Sequence, residues 1–413
     1  IPPEPEEVKP VLNFNRLAPV AVGAALVLSA CGSGSTATSS SSAPAESSAP
    51  AESSAAARPT DFNSQAAELD ALTYTQLSKS LLSAAPAPAT LKDGSTFTLS
   101  PDIAAKVANG EPINYVISYG SKSIPLFSQQ YLIGYDDTLP IANSILPMNG
   151  ADVSPSTPGQ DVSAQIAGIE ALLNTGQIDC LSIQPLDDVS MTDITNKAMA
   201  KGIPVFTVGV TSNANELSNF TQVSYEEGKQ AAQIVIDWMA ESGNDLKVFA
   251  VSGGDPSASW AQGRMSGFID GITEGVPGAS FVNGASDALV TSYDPAGTYD
   301  AYKAFLTGNP EVQFIENVDI GAEHANRAIT DAKRTGEVFT IGWNLSEGQF
   351  QGIEAGIQVA ALDQAWSQQA GFGALACAAF LKDGVVMPNT QELIPVTAAN
   401  VVAAREGLNA IMK

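Results

Sequence analysis

The chain has 413 residues, 44% of them hydrophobic, with Lys+Arg 19 against Asp+Glu 44 and a formal net charge of −25. That length allows two domains with a sizeable core, and the acid excess excludes a surface built for nucleic acid or anionic lipid. A single histidine, His324, leaves little room for histidine acid–base catalysis and none for a multi-histidine zinc site.

Residues 17–29 form an apolar run that ends in Leu28-Ser29-Ala30-Cys31 and passes at once into Gly32-Ser33-Gly34-Ser35. Small residues before a cysteine at the end of such a run read as a cleavage site, and the run is shorter than the ~20 residues a membrane-spanning helix needs. The pattern resembles the lipobox of a bacterial lipoprotein. Residues 1–30 are therefore expected to be a signal peptide and Cys31 the lipidated new N-terminus. Glu4, Glu6 and Glu7 depart from the positive leader such a peptide normally carries. Residues 31–59 are rich in Ser, Ala, Pro and Glu, with Ser-Ser-Ala-Pro-Ala-Glu at 41–46 and again at 47–52. With almost nothing to bury, they read as a disordered tether.

Residues 60–112 read as an N-terminal extension. Helical spacing runs over 62–82, a Pro/Ala break follows at 84–88, Phe97-Thr98-Leu99 suggests a short strand, and Ser100-Pro101 begins a helix. From Ile113 the pattern becomes regular. Short apolar runs at 113–118, 144–148, 180–183, 205–208, 247–251, 312–315 and 338–343 predict strands. Amphipathic stretches at 160–174, 225–240, 257–273, 299–306 and 321–335 predict helices. This alternation means βαβ units, a parallel sheet and an α/β fold, with ligands bound outside the C-terminal strand edge. Three cysteines occur; with Cys31 assigned to lipid, Cys180 and Cys377 either pair or stay as buried thiols.

Several segments resemble the ribose-type family of periplasmic sugar-binding proteins, the type I receptors of ABC importers. They are Ile178-Asp179-Cys180-Leu181-Ser182-Ile183-Gln184-Pro185, Lys197-Ala198-Met199-Ala200-Lys201-Gly202-Ile203-Pro204-Val205, Gly263-Arg264-Met265-Ser266-Gly267-Phe268, Ile341-Gly342-Trp343-Asn344 and Gly356-Ile357-Gln358-Val359-Ala360-Ala361-Leu362-Asp363-Gln364. The resemblance covers 113–413. It implies two Rossmann-like lobes, 113–223 plus 364–386 and 224–363 plus 387–413, joined by a three-strand hinge near 223–224, 363–364 and 386–388. It further implies a membrane permease as partner, a monomeric receptor and no cofactor. Two departures remove charge: Gly209-Val210 stand where the family often has Asp-Arg, and Asn344 stands in the place of an aspartate. The stretch 118–143, with Lys122, Phe127 and Tyr131, does not match the family's first loop.

Ten residues are candidates for ligand contact: Tyr119, Trp260, Arg264, Asn317, Asp319, Trp343, Asn344, Asp363, Gln364 and Trp366. Arg264, Asn317, Asn344 and Gln364 follow from the resemblance, whose members use such side chains on sugar hydroxyls. A surface ion pair is the alternative for Arg264. Trp260, Trp343, Trp366 and Tyr119 are expected near strand ends, where aromatic faces stack on sugar rings; core packing is the alternative, and it suits Trp238. Asp319 and Asn344 could instead cap helices. No G-x-S-x-G, P-loop, H-E-x-x-H or Cys/His metal spacing occurs. The expected function is capture of a sugar or polyol for import, at the outer face of the cytoplasmic membrane. The alternatives are a sensor receptor on the same fold and, much weaker, a secreted hydrolase. A lactose-repressor-type regulator would need a helix-turn-helix and a basic face.

Overall fold

The computed structural model describes residues 61–124, 126–157 and 159–412. The expected signal peptide, Cys31 and the 31–59 tether lie outside the described residues.

Two sheets carry the fold. Across the first, the order is Met148–Asp152, Ile113–Ser118, Cys180–Ile183, Val205–Val208 and Ser218–Phe220, all parallel. Across the second it is Ile394–Val396, Gln358–Asp363, Phe339–Trp343, Phe314–Asn317, Val248–Gly253 and Ser280–Phe281, with Leu289–Val290 also pairing to Val248–Gly253. In this second sheet, among the described residues, only Ile394–Val396 runs antiparallel. In each sheet the earliest strand lies inside the edge, so the winding direction reverses beside it. That reversal opens a crevice at the strands' C-terminal ends. Here the crevices follow Ser118 and Ile183 in one sheet, and Gly253 and Asn317 in the other.

The strands at 113–118, 180–183 and 205–208 match the sequence reading, because each is a mostly apolar run buried on both faces. The strand expected at 144–148 is displaced. Helix Phe127–Ile145 absorbs the apolar start of that run, and the strand is the polar edge segment Met148–Asp152. The run at 312–315 shifts to Phe314–Asn317, since the strand continues through a buried glutamate that hydropathy treats as an end. In the extension, the helix expected over 62–82 is two helices, Phe62–Ala71 and Thr75–Leu82, broken where Thr73 turns left-handed. Phe97-Thr98-Leu99 forms no strand. Helix Pro101–Asn109 follows as expected.

The extension is anchored on the segment after helix Trp366–Asp383. The Gln76 side chain donates to the Glu392 carbonyl at 3.2 Å and accepts from the Glu392 amide at 2.9 Å. Ser80 donates to the Pro388 carbonyl at 2.5 Å, and Thr390 donates to the Gln76 carbonyl at 2.8 Å. Gln368 Oε1 accepts from the amides of Gln76 and Leu77, at the open first turn of the second extension helix.

Helix Trp366–Asp383 is apolar on every side and buried along nearly its whole length. It packs on the first sheet and on helix Phe127–Ile145, where Gly134 permits the approach: a Cβ there would lie 2.0 Å from the Ser367 carbonyl oxygen. Cys180 and Cys377 form a disulfide with Cα atoms 6.1 Å apart, which resolves the alternatives left open by sequence. It ties the buried helix to the central strand of the first sheet across 197 residues of chain. Loops of that length lose the most denatured-state entropy on crosslinking. Replacing both cysteines, Cys180→Ala with Cys377→Ala, is expected to lower the unfolding free energy by about 2–4 kcal/mol. Guanidinium unfolding followed by circular dichroism measures this, and an unchanged midpoint would show that the bond carries no stability.

Candidate functional site

A cavity of about 570 Å³, counting the space at its mouth, lies where the C-terminal edges of the two sheets face each other. Ile124, Phe127, Gln160, Gln184, Pro185, Leu186, Gly209 and Val210 line it from the first sheet's side. Trp260, Arg264, Tyr293, Asp319, Ile320 and Asn344 line it from the second, and Gln364 and Trp366 lie on the crossing segment. The walls touch: Val210 packs into the apolar cluster of the second sheet, while Tyr293 and Ile320 pack against that of the first.

Six of the ten candidates therefore meet at one cavity: Trp260, Arg264, Asp319, Asn344, Gln364 and Trp366. Arg264 projects from helix Ser259–Gly275 and is buried, not a surface ion pair. Its Nε donates to Glu227 Oε2 at 2.8 Å and its Nη1 to the Val318 carbonyl at 2.9 Å. The guanidinium carbon sits 5.1 Å from the ring centroids of both Trp260 and Trp343. Nη2 has no partner among the described residues. Asp319 is held by the Gly254 amide at 2.5 Å and the Gly321 amide at 3.1 Å, bonds that partly offset the burial raising its pKa. Neither Asp319 nor Asn344 caps a helix; Ser346 caps the helix after Asn344, accepting from the Gln349 amide.

Two buried polar atoms of lining residues, Asn344 Oδ1 and Tyr293 Oη, lack a partner among the described residues. Such atoms are uncommon in folded proteins and costly unless something else satisfies them. Backbone strain gathers in the same place. Among the described residues, the non-glycine residues with positive φ are Thr73, Leu126, Ser292, Lys333, Asn344 and Ala365. Asn344 lines the cavity itself, and Leu126, Ser292 and Ala365 each adjoin a lining residue. Strained backbone of this kind concentrates at ligand sites.

Four candidates do not reach the cavity. Tyr119 is core: its ring stacks on Tyr131 at 4.4 Å and packs edge-on against Phe127, which takes the lining position. Asn317 is fully buried and works locally, donating to the Tyr302 hydroxyl at 2.8 Å and accepting from the Gly321 amide at 2.7 Å. Trp343 is fully buried and does not line the cavity; its ring lies 5.1 Å from the Arg264 guanidinium carbon. Asp363 accepts from the Ala365 amide at 2.8 Å and lies on another groove, with Tyr74 and Leu408.

Sequence reasoning missed most of the first wall. Gln184-Pro185-Leu186 directly follows a predicted strand, and Gly209-Val210 was noted only as a lost charge pair; strand-end position was the signal for both. Gly209 has φ +72°, and a Cβ would lie 2.4 Å from Gln369 Oε1, so only glycine fits. Phe127 and Ile124 carried no usable signal, since their loop has no matching pattern. Among the described residues no cluster of His, Cys, Asp and Glu could hold a metal ion, and no helix is long and apolar enough to cross a membrane.

The family model described as a periplasmic binding protein domain matches residues 146–384, more than half of the chain. The chain belongs to that family. Its fold is the type I periplasmic-binding fold. One solved structure it is similar to is a carbohydrate transporter solute-binding protein from Agrobacterium radiobacter, in complex with D-arabinose. The identity is 18% and the TM-score 0.63, covering 73% of this chain and 99% of that one. The myo-inositol-binding protein of Caulobacter, bound to myo-inositol, matches at 18% identity and TM-score 0.60, over 72% of this chain and 97% of that one. A sugar-binding protein of a Bacillus halodurans sugar ABC transporter matches at 20% identity and TM-score 0.56, over 70% and 98%. A search of the curated proteins finds no match.

Burial raises the Asp363 pKa to about 6, against the smaller opposing effect of the Ala365 amide. A carboxyl with a raised folded-state pKa favours folding most below its unfolded value, and that contribution is lost as pH rises through 6. Asp363→Asn keeps the acceptor for the Ala365 amide and removes the charge. Its melting temperature is expected to exceed that of the wild type at pH 7.5, with a smaller gain at pH 4.5. An equal effect at both pH values in differential scanning fluorimetry would contradict this.

Proposed function

We propose that this binding protein captures a neutral sugar or polyol between its two lobes and presents it to an ABC importer in the membrane. The observation that carries the reading is the pair of unpartnered buried acceptors, Asn344 Oδ1 and Tyr293 Oη, beside the free Nη2 of Arg264 at one cavity. Ligand hydroxyls, which both donate and accept, satisfy all three. Trp260 and Trp366 offer aromatic faces to a sugar ring. The sugars bound in similar folds, D-arabinose, myo-inositol and D-fucose, support the ligand class.

The lobes are 113–223 plus 364–386 and 224–363 plus 387–413, and they rotate about the crossings near 223–224, 363–364 and 386–388. Ligand shifts the population toward the closed form, which the permease recognises. Trp260, Arg264, Asp319, Asn344, Gln364 and Trp366 contact the ligand. The receptor is monomeric, needs no cofactor, performs no catalysis and binds no nucleic acid. Lipid on Cys31 holds it at the outer face of the cytoplasmic membrane, and the 31–59 stretch gives it reach.

Thermal-shift screening of pentoses, hexoses, inositols and amino acids tests the reading. A ligand at 100 times its Kd adds about 2.7 kcal/mol of stability, a readily measured shift. At least one sugar or polyol is expected to stabilise the protein, and a response to amino acids alone would contradict the proposal. Arg264→Ala, made with Glu227→Gln so that no buried carboxylate is left unpaired, is expected to weaken binding by at least tenfold. Unchanged affinity would remove Arg264 from the site.

A further inference from the structure

The two walls of the cavity differ in chemistry, and the difference bears on which sugar fits. On the first wall, strand ends place Leu186 and Val210, both buried, beside Phe127 and Trp366, whose rings meet edge to face at 4.8 Å. The polar groups there are mostly committed. Gln184 Oε1 accepts from the Gly120 amide at 3.1 Å and its Nε2 donates to Gln369 Oε1 at 3.4 Å. Gly209 tolerates no side chain. Gln160 is the first-wall polar side chain without a partner among the described residues. The opposite wall carries a guanidinium, a carboxyl, an amide and a phenol, from Arg264, Asp319, Asn344 and Tyr293.

A hexose rimmed with hydroxyls on every side would turn some of them toward Val210 and Leu186, whose side chains neither accept nor donate. Burying a hydroxyl without a partner is unfavourable, whereas burying a methyl group there is favourable. Charge gives no counter-argument. Arg264 is already paired with Glu227, and burial keeps the unpartnered Glu316 carboxyl well above the usual range.

We propose that the ligand is a 6-deoxyhexose, its methyl group seated against Val210 and Leu186 and its ring hydroxyls turned to Arg264, Asp319 and Asn344. This rests on the sugar-binding reading and narrows it. Val210 and Leu186 are then the specificity-determining residues.

Calorimetric titration of matched pairs tests this: L-rhamnose against L-mannose, and D-fucose against D-galactose. In at least one pair the deoxy member is expected to bind about ten- to a hundredfold more tightly, the range an apolar pocket gives against an added hydroxyl. Val210→Asn is expected to bring that ratio below about threefold. Leu186→Gln serves as a second variant should the first fail to fold. Equal or tighter binding of the parent hexoses, or a ratio unmoved by both variants, would overturn the proposal. So would tight binding of some other, fully hydroxylated sugar with no response to either deoxy member, although sugar binding itself would stand. Only the absence of any sugar or polyol response across the thermal screen counts against sugar binding.

Discussion

A buried guanidinium organises the binding face of this protein. Taking Arg264 out of water costs several kcal/mol unless its charge and its N–H groups are met. Glu227 supplies the opposite charge, the Val318 carbonyl takes Nη1, and the Trp260 and Trp343 rings each lie 5.1 Å from the guanidinium carbon. Each partner comes from a different stretch of chain, so the second lobe must be assembled before the arginine is satisfied. What is left over is one end of the guanidinium at the cavity. That leftover capacity, with the unpartnered Asn344 and Tyr293 oxygens, leaves polar groups unsatisfied on this wall of the cavity.

The parallel sheets explain why the leftover groups converge. Both have the same doubly wound order, so both present strand ends and loops along one edge. Putting two such edges face to face brings Leu186 and Val210 opposite Asn344 and Asp319 across a small space. Positive-φ residues mark the corners of that space, where the chain turns at once from strand or loop to lining residue. The disulfide and the buried helix Trp366–Asp383 hold the first sheet rigid from behind, and the extension helices grip the returning segment at Pro388–Glu392 through Gln76, Ser80 and Thr390.

Much of this was legible before any coordinates. Buried parallel strands are continuous apolar runs, so 113–118, 180–183 and 205–208 read cleanly, and the resemblance motifs marked Arg264, Asn344 and Gln364. The bounds of Met148–Asp152 and Phe314–Asn317 did not read cleanly, because hydropathy begins each run too early and ends it before the polar residues that continue the strand. The break at Thr73 lacked a glycine or proline to announce it. Position after a strand was too coarse for side-chain direction. Successive residues point to opposite sides, so Trp343 fell behind the site while Asn344 entered it. Tyr119 was displaced by Phe127, which opens helix Phe127–Ile145 in a stretch with no recognisable pattern. The cysteine pairing needed the long-range contact between strand and buried helix, and local sequence carries no record of it.

The proposed sugar site is the cavity with Trp260 and Trp366 on its walls. Intrinsic fluorescence reads both indoles. Titrating the intact protein with the most stabilising sugar, alongside Trp260→Phe and Trp366→Phe variants, is the most direct test. A saturable, one-site change whose amplitude drops in each variant is the predicted result. A sugar that stabilises the protein while leaving the emission of all three proteins unchanged would place its site elsewhere and contradict the account.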